Sequence, residues 1–306
     1  EAMLAANQAE LDNVMRTIDR IAKIANYGNK AILDGSMGAN GVTQGDYLEF
    51  VSANENTKSS PVGGYQVEIK EAATRSSVQG SVPLTQAMID SGEQLTFSEG
   101  GITLNFETKA GENVETTLNR LDKAIIHSGM KIEIVTTPGS AANPHAPQLL
   151  RFRHKEYGSE HSFQVASNTA GVLSSQINTP DTIKNGVDVS GYIGGELGLG
   201  RGQILTGSVP TKVSGLKIRY TGEYAPPPGT NAGTVTVAQN SLVFHVGPNP
   251  EQSTSFSLRS VNSKKLGNGI KNDSGFRSLN DIEISEASKA QDAIRIIDQA
   301  IEEITT

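Results

Sequence analysis

Between Leu4 and Ala25 the apolar residues Leu11, Val14, Ile18, Ile21 and Ala25 step alternately by three and four. That period of about 3.5 residues draws one narrow seam along a helix. Polar residues cover the rest of the segment, and Asn26 with Gly28 supplies a stop that tolerates a left-handed backbone, so the helix should end near Tyr27. At the other end Ala287, Ala290, Ile294, Ile297, Ile301 and Ile304 repeat the spacing, with Ser285 placed as an N-cap and Glu286 near the positive end of the helix dipole. Each seam needs a partner. The matched spacing predicts that 4–25 and 285–304 pack antiparallel as a coiled-coil bundle, with Leu11, Val14, Ile18, Ile21, Ala287, Ala290, Ile294, Ile297 and Ile301 as its contacts.

From about Tyr47 to Leu258 the pattern changes to short alternating runs broken by Gly, Pro, Asn and Ser, which reads as mostly antiparallel β structure. Tyr65-Val67-Ile69, Leu150-Phe152-His154, Phe163-Val165, Leu216-Ile218-Tyr220 and Val235-Val237 are half-buried faces of expected strands. Tyr157-Gly158-Ser159-Glu160 reads as the turn of a hairpin over 149–166. One helix interrupts the strands: Val114, Leu118, Leu121 and Ile125 form a stripe, with Asn113 before it and Gly129 after it. Ile102-Leu104-Phe106 and Ile132-Ile134 flank that helix, so a small α+β unit is expected. Two similar segments, 47–56 and 242–251, mark where the chain leaves the terminal helices and returns. The expected fold is α+β and multidomain: a discontinuous helical inner domain from 1–60 and 239–306, and a mainly β outer insertion over 61–238 with its helix near 113–128.

The chemistry-bearing residues add little. With no Cys, disulfides, thiolate metal sites and thiol nucleophiles are excluded. The net charge of −7 and the lack of a Lys/Arg cluster argue against nucleic acid. No apolar run is long enough for a membrane span, and Glu1-Ala2-Met3-Leu4 lacks the basic and apolar regions of a signal peptide, so the chain reads as the continuation of something longer. His127, His145, His154, His161 and His245 are scattered. Of these only His154 and His161, either side of the expected turn, are candidates for a shared metal, and two solvent-facing hairpin residues are the commoner reading. The glycines of 194–202 sit between strand-like runs, so they read as β-turns and not as a phosphate cradle. No catalytic residue, cofactor site or metal site is assigned.

The run from Glu10-Leu11 to Ile18-Asp19-Arg20-Ile21-Ala22, then Tyr27-Gly28-Asn29-Lys30 and Ile32-Leu33-Asp34-Gly35-Ser36, resembles bacterial flagellin. The run Ala290-Gln291-Asp292-Ala293-Ile294-Arg295-Ile296-Ile297-Asp298-Gln299-Ala300-Ile301 resembles the returning helix of that family. Residues 242–252 resemble its strand and turn, with His245, Pro248 and Pro250 in place of the usual Gln, Ala and Ala. Val187 to Glu196 is similar to a repeat in outer domains of flagellins and hook-associated proteins. The resemblance covers about 1–60 and 240–306 well, the middle only in part, and the family's extreme terminal segments have no counterpart.

It implies a structural subunit of the extracellular flagellar filament, exported without a cleaved signal and assembling through its terminal helices. The implied partners are other flagellin subunits, hook-associated and cap proteins, and an export chaperone for the full-length protein. It also implies a Toll-like receptor contact at Glu10, against the plainer reading of a solvated carboxylate. Without the terminal segments, the chain by itself is expected to be an assembly-incompetent monomer. Two other readings remain open: a hook-associated junction protein, and a glycan-binding or enzymatic outer domain on a flagellin scaffold, which the absence of an H-E-x-x-H run weakens.

Overall fold

The computed structural model describes residues 2–135, 147–247, 252–268, 270, 272 and 274–305. The helices are α1 (Ala2–Ile24), α2 (Gln86–Asp90), α3 (Val114–Ser128) and α4 (Ala287–Thr305), and strands dominate the rest.

The largest sheet has eight strands, in the order Ala39–Gln44, Gly233–Gln239, Tyr65–Glu71, Ser190–Ile193, Glu196–Arg201, Ile204–Gly207, Lys217–Tyr220 and Leu48–Ser52, each antiparallel to the next. Its two outer strands are neighbours in sequence and lie against each other, and Thr43 Oγ1 donates to the Leu48 carbonyl at 2.9 Å, so the sheet nearly closes into a barrel. Period-two alternation fills the inside: Tyr65, Val67, Ile69, Ile193, Leu205, Ile218, Val235 and Val237 are buried together. Strands Ala39–Gln44 and Leu48–Ser52, grouped by sequence with the terminal helices, are thus part of this sheet.

A second lobe occupies 77–183. Its three-stranded sheet has Arg151–His154 between Ser77–Gln79 and Ile132–Ile134, and its four-stranded sheet runs Asp181–Thr182, Gln164–Ser167, Gln94–Glu99, Ile102–Glu107. Leu118, Leu121 and Ile125 of α3 pack with Phe97 and Phe152 in a common core. The ends of α3 are set locally. Asn113 Oδ1 accepts from the Thr116 N–H at 2.7 Å, and Gly129 takes a left-handed φ of 79°. The expected hairpin over 149–166 does not form: Arg151–His154 and Gln164–Ser167 belong to different sheets, and the 155–162 loop crosses between them. In the pairings that form, Phe152 lies opposite Val78 and Ile134, and Val165 opposite Phe97.

The expected antiparallel coiled-coil bundle is also absent. The two terminal helices do not pair face to face; an irregular stretch between Val261 and Ile284 fills the space between them. Leu266, Phe276, Leu279 and Ile282 from that stretch pack with Met15 of α1 and with Ala293, Ile296 and Ala300 of α4. Polar side chains fasten it. Gln8 donates to the Ile282 carbonyl at 3.2 Å and accepts from the Ile284 N–H at 2.9 Å. Asp19 accepts from the Ser263 N–H and hydroxyl at 2.7 and 2.9 Å. Asp292 accepts from Ser274, and Glu303 from the Gly267 N–H at 3.0 Å. The start of α1 therefore lies beside the residues leading into α4, and its end beside the 263–267 turn, which rests on the second half of α4. That is the order of two helices running in the same direction. The seam misleads because each apolar face is wider than the seam: the chain covers Leu11, Ile18 and Ile297 of the seam together with Met15, Ala22, Ala293, Ile296 and Ala300 beside it, and leaves Val14, Ile21, Ile294 and Ile301 uncovered.

Candidate assembly surface

On α1 the covered row is Leu11, Met15, Ile18 and Ala22, while Val14, Ile21 and Ile24 are 54%, 47% and 63% exposed. On α4 Ala293, Ile296 and Ala300 are buried and Ile297 is half-buried, while Ile294, Ile301 and Ile304 are 58%, 55% and 56% exposed. Single exposed apolar residues are ordinary on a protein surface. Here they recur at helical spacing, seven apart from Val14 to Ile21 and from Ile294 to Ile301, and then three further on to Ile24 and to Ile304. A third apolar surface lies on the hairpin Leu242–His245 with Ser253–Phe256. Val243, Val246 and Phe256 are exposed there, and Phe244 stands edge-on to Tyr27 with ring centres 6.4 Å apart and to Phe256 at 5.9 Å. These rows can bury apolar area against a partner and have no such partner within the described residues.

The residues singled out from sequence fall as follows. Leu11, Ile18 and Ile297 pack against the chain's own cluster; Val14, Ile21, Ile294 and Ile301 face outward; Ala290 is half-buried; the side chain of Ala287 lies outside the described residues. Glu10 is exposed on α1. His145 and the turn residues Pro248 and Pro250 lie outside the described residues. His154 and His161 stack, but among the described residues no group of three or more His, Cys, Asp or Glu is arranged to hold a metal. Gly194 and Gly195, both with positive φ, form the tight turn between Ser190–Ile193 and Glu196–Arg201, whereas Gly198 and Gly200 lie within the second of these strands, so the β-turn reading holds for only part of that glycine run. Sequence reasoning missed Gln8, Asp19, Asp292 and Glu303. Each is an ordinary polar residue on an amphipathic helix, and nothing local marks it as an anchor.

A cleft of about 850 Å³ lies between the Ala39–Gln44 and Leu48–Ser52 strands and the 258–277 stretch. Phe50, Arg219, Arg259, Arg277 and Glu303 line it. Arg219 is paired with Glu49 at 3.2 Å. Burial pushes the Glu303 carboxyl up from its ordinary range, against the pull of the Gly267 N–H, Gln299 and the two arginines Arg259 and Arg219. Among the described residues no helix is long and apolar enough to cross a membrane.

No protein-family model and no curated protein matches the chain. Among solved structures it is similar to the D1-D2-D3 domains of the flagellar cap protein FliD from Escherichia coli, with TM-score 0.46, 11% identity, and 76% of this chain and 62% of that chain covered. It thus spans less than two thirds of that protein's described length. It is also similar to the D2-D3 domains of FliD from Serratia marcescens (TM-score 0.40, 14% identity, 62% of this chain and 100% of that one). FliD from Bdellovibrio bacteriovorus is a further similar structure, with TM-score 0.34, 13% identity, and 62% and 99% covered.

Proposed function

We propose that this chain is a structural component of the bacterial flagellum, outside the cell, that joins its neighbours through the uncovered rows of α1 and α4. The observation that carries the reading is a coincidence of two kinds of evidence. The stretches that resemble flagellin, 10–36 and 290–301, overlap the two helices that each leave an apolar row without an intramolecular partner among the described residues. Its partners are other flagellar subunits, with an export chaperone for the full-length protein, and it carries out no chemical reaction.

Within that class, a hook-associated or cap component is favoured over a filament repeat. The specific support is the arrangement of the ends: the antiparallel helical pairing expected from the matched seams is replaced by a packed stretch tied down by Gln8, Asp19 and Asp292. The test is complementation. A strain deleted for the gene should regain intact flagella and motility with the parent gene, and fail to do so with Val14→Asp plus Ile301→Asp. Export of the variant, followed in the culture medium, separates loss of assembly from loss of folding. Full motility with the exported double variant, or with no gene at all, would sink the proposal.

A further inference from the structure

The barrel and the 77–183 lobe are joined by two crossings of the chain, 72–76 and 184–189, and the 155–162 loop packs on both. The Gly158 N–H donates to the Thr74 carbonyl at 2.9 Å, and the Thr74 N–H donates to the Val187 carbonyl at 2.9 Å. Asp188 accepts from the Ser159 N–H at 3.1 Å, from the Ser159 hydroxyl, and from the Gly202 N–H in the barrel at 2.7 Å. The approach is close enough that a Cβ on Gly186 would meet the Thr74 and Gly158 carbonyl oxygens at 2.3 and 2.8 Å. The loop is therefore a clamp between the two lobes.

Two histidines bracket that loop. His154 ends the strand Arg151–His154, His161 follows the turn, and their rings stack with centres 4.9 Å apart and planes 10° from parallel. His154 is 1% exposed. Its Nδ1 accepts from the Glu156 N–H at 3.0 Å, which leaves the proton on Nε2 to be donated to Glu99 at 2.8 Å. The same Nδ1 lies 3.3 Å from the Glu156 carbonyl, so both backbone groups of Glu156 hold that edge of the ring. Protonation of both rings places two like charges face to face.

We propose that the stacked His154–His161 pair is a proton-sensitive clasp that closes the 155–162 loop and so fixes the two lobes relative to each other, opening on acidification. The charged groups around it come from every neighbouring element: Glu99 from the strand Gln94–Glu99, Lys131 with its Nζ 3.5 Å from Glu156, Glu156 and Glu160 from the loop, and Asp188 from the second crossing. Burial first, then His154, disfavour the charged form of His161 more than the nearby carboxylates favour it. The sign follows. A histidine held below its ordinary value adds stability that is present above that value and is lost as pH falls through the lower, folded one. The clasp does not depend on the flagellar reading.

The chain has no cysteine of its own, so nitroxide labels can be placed cleanly at Lys123→Cys on α3 and Thr236→Cys on the barrel, both exposed positions. Electron–electron double resonance at about pH 8 and about pH 5 then brackets the histidine range. The expected result is a single narrow interlobe distance at the higher pH and loss of that narrow distribution at the lower. His161→Phe keeps a flat ring without the proton and should stay narrow at both; His161→Ala should be broad at both. An unchanged parent distribution between the two conditions, or a His161→Phe chain that broadens as the parent does, would overturn the proposal.

Discussion

Two isoleucines two residues apart on α4 separate the observed packing from the heptad seam. Ile296 is fully buried in a small cluster of Met15, Leu266, Phe276, Leu279, Ile282, Ala293 and Ala300, whereas Ile294, the residue the seam selects, is 58% exposed. Ile296→Ala removes about three carbons from a dry site. At about 0.8 kcal/mol per methylene the transfer loss is about 2.4 kcal/mol. The cavity adds to it, because the neighbours Gly267, Ala293 and Ala300 have little side chain with which to fill the space. A total of about 3 to 4 kcal/mol is expected, inside the usual range for such truncations. Ile294→Ala should cost about 0.5 kcal/mol or less, since most of that side chain is already in water. The assay is urea unfolding followed by ellipticity at the helical band; the chain has no Trp, so indole fluorescence is not a usable probe. A cost for Ile294→Ala equal to or above that of Ile296→Ala would mean that α4 is rotated and the seam faces inward after all.

Three further outcomes are expected. Asn113→Ala removes the side-chain acceptor for the Thr116 N–H and should cost about 1 kcal/mol by the same urea method, whereas Asn113→Asp, which keeps an acceptor, should cost little; equal losses would contradict the cap. Glu303 has its carboxyl pushed up by burial, so its favourable contribution is present below the unfolded value and is lost as pH rises through the folded one. Glu303→Gln should therefore melt higher than the parent at about pH 7 and converge with it in acid, and a lower melting point at neutral pH would refute the reasoning. Gly186→Ala should loosen the junction of the two lobes, because no room exists for its methyl between the Thr74 and Gly158 carbonyls; protection of the Gly158 amide from hydrogen exchange should fall, and unchanged protection would count against the clamp.

How much of this could be read from the chain depends on whether the deciding contact is local. The stripe Val114, Leu118, Leu121, Ile125 between Asn113 and Gly129 is self-contained, and those are residues that α3 buries. The alternation of Tyr65, Val67, Ile69 and of Val235, Val237 likewise declares which side faces the core. The pairing of Arg151–His154 and Gln164–Ser167 with distant strands is not local, and a plausible turn between them pointed to the wrong partner. The terminal helices failed for a related reason. Their existence follows from period, but which part of each apolar face is covered is decided by Leu266, Phe276, Leu279 and Ile282, which lie in a Ser-, Asn- and Gly-rich stretch without periodicity. Val14, Ile21, Ile294 and Ile301, which the seam named for the wrong partner and which are uncovered, are the part of the candidate surface that sequence did expose.

The central claim is that this chain belongs to the outside of the flagellum and is held there by its neighbours. Immunogold electron microscopy of the parent cells, with antibody raised against this chain and the deleted strain as control, tests it most directly. The account predicts gold on the flagellum, concentrated at the filament tip or at the joint between hook and filament. Gold spread evenly along the filament would return the filament-repeat reading, and gold confined to the cell body, with bare flagella, would contradict the account outright.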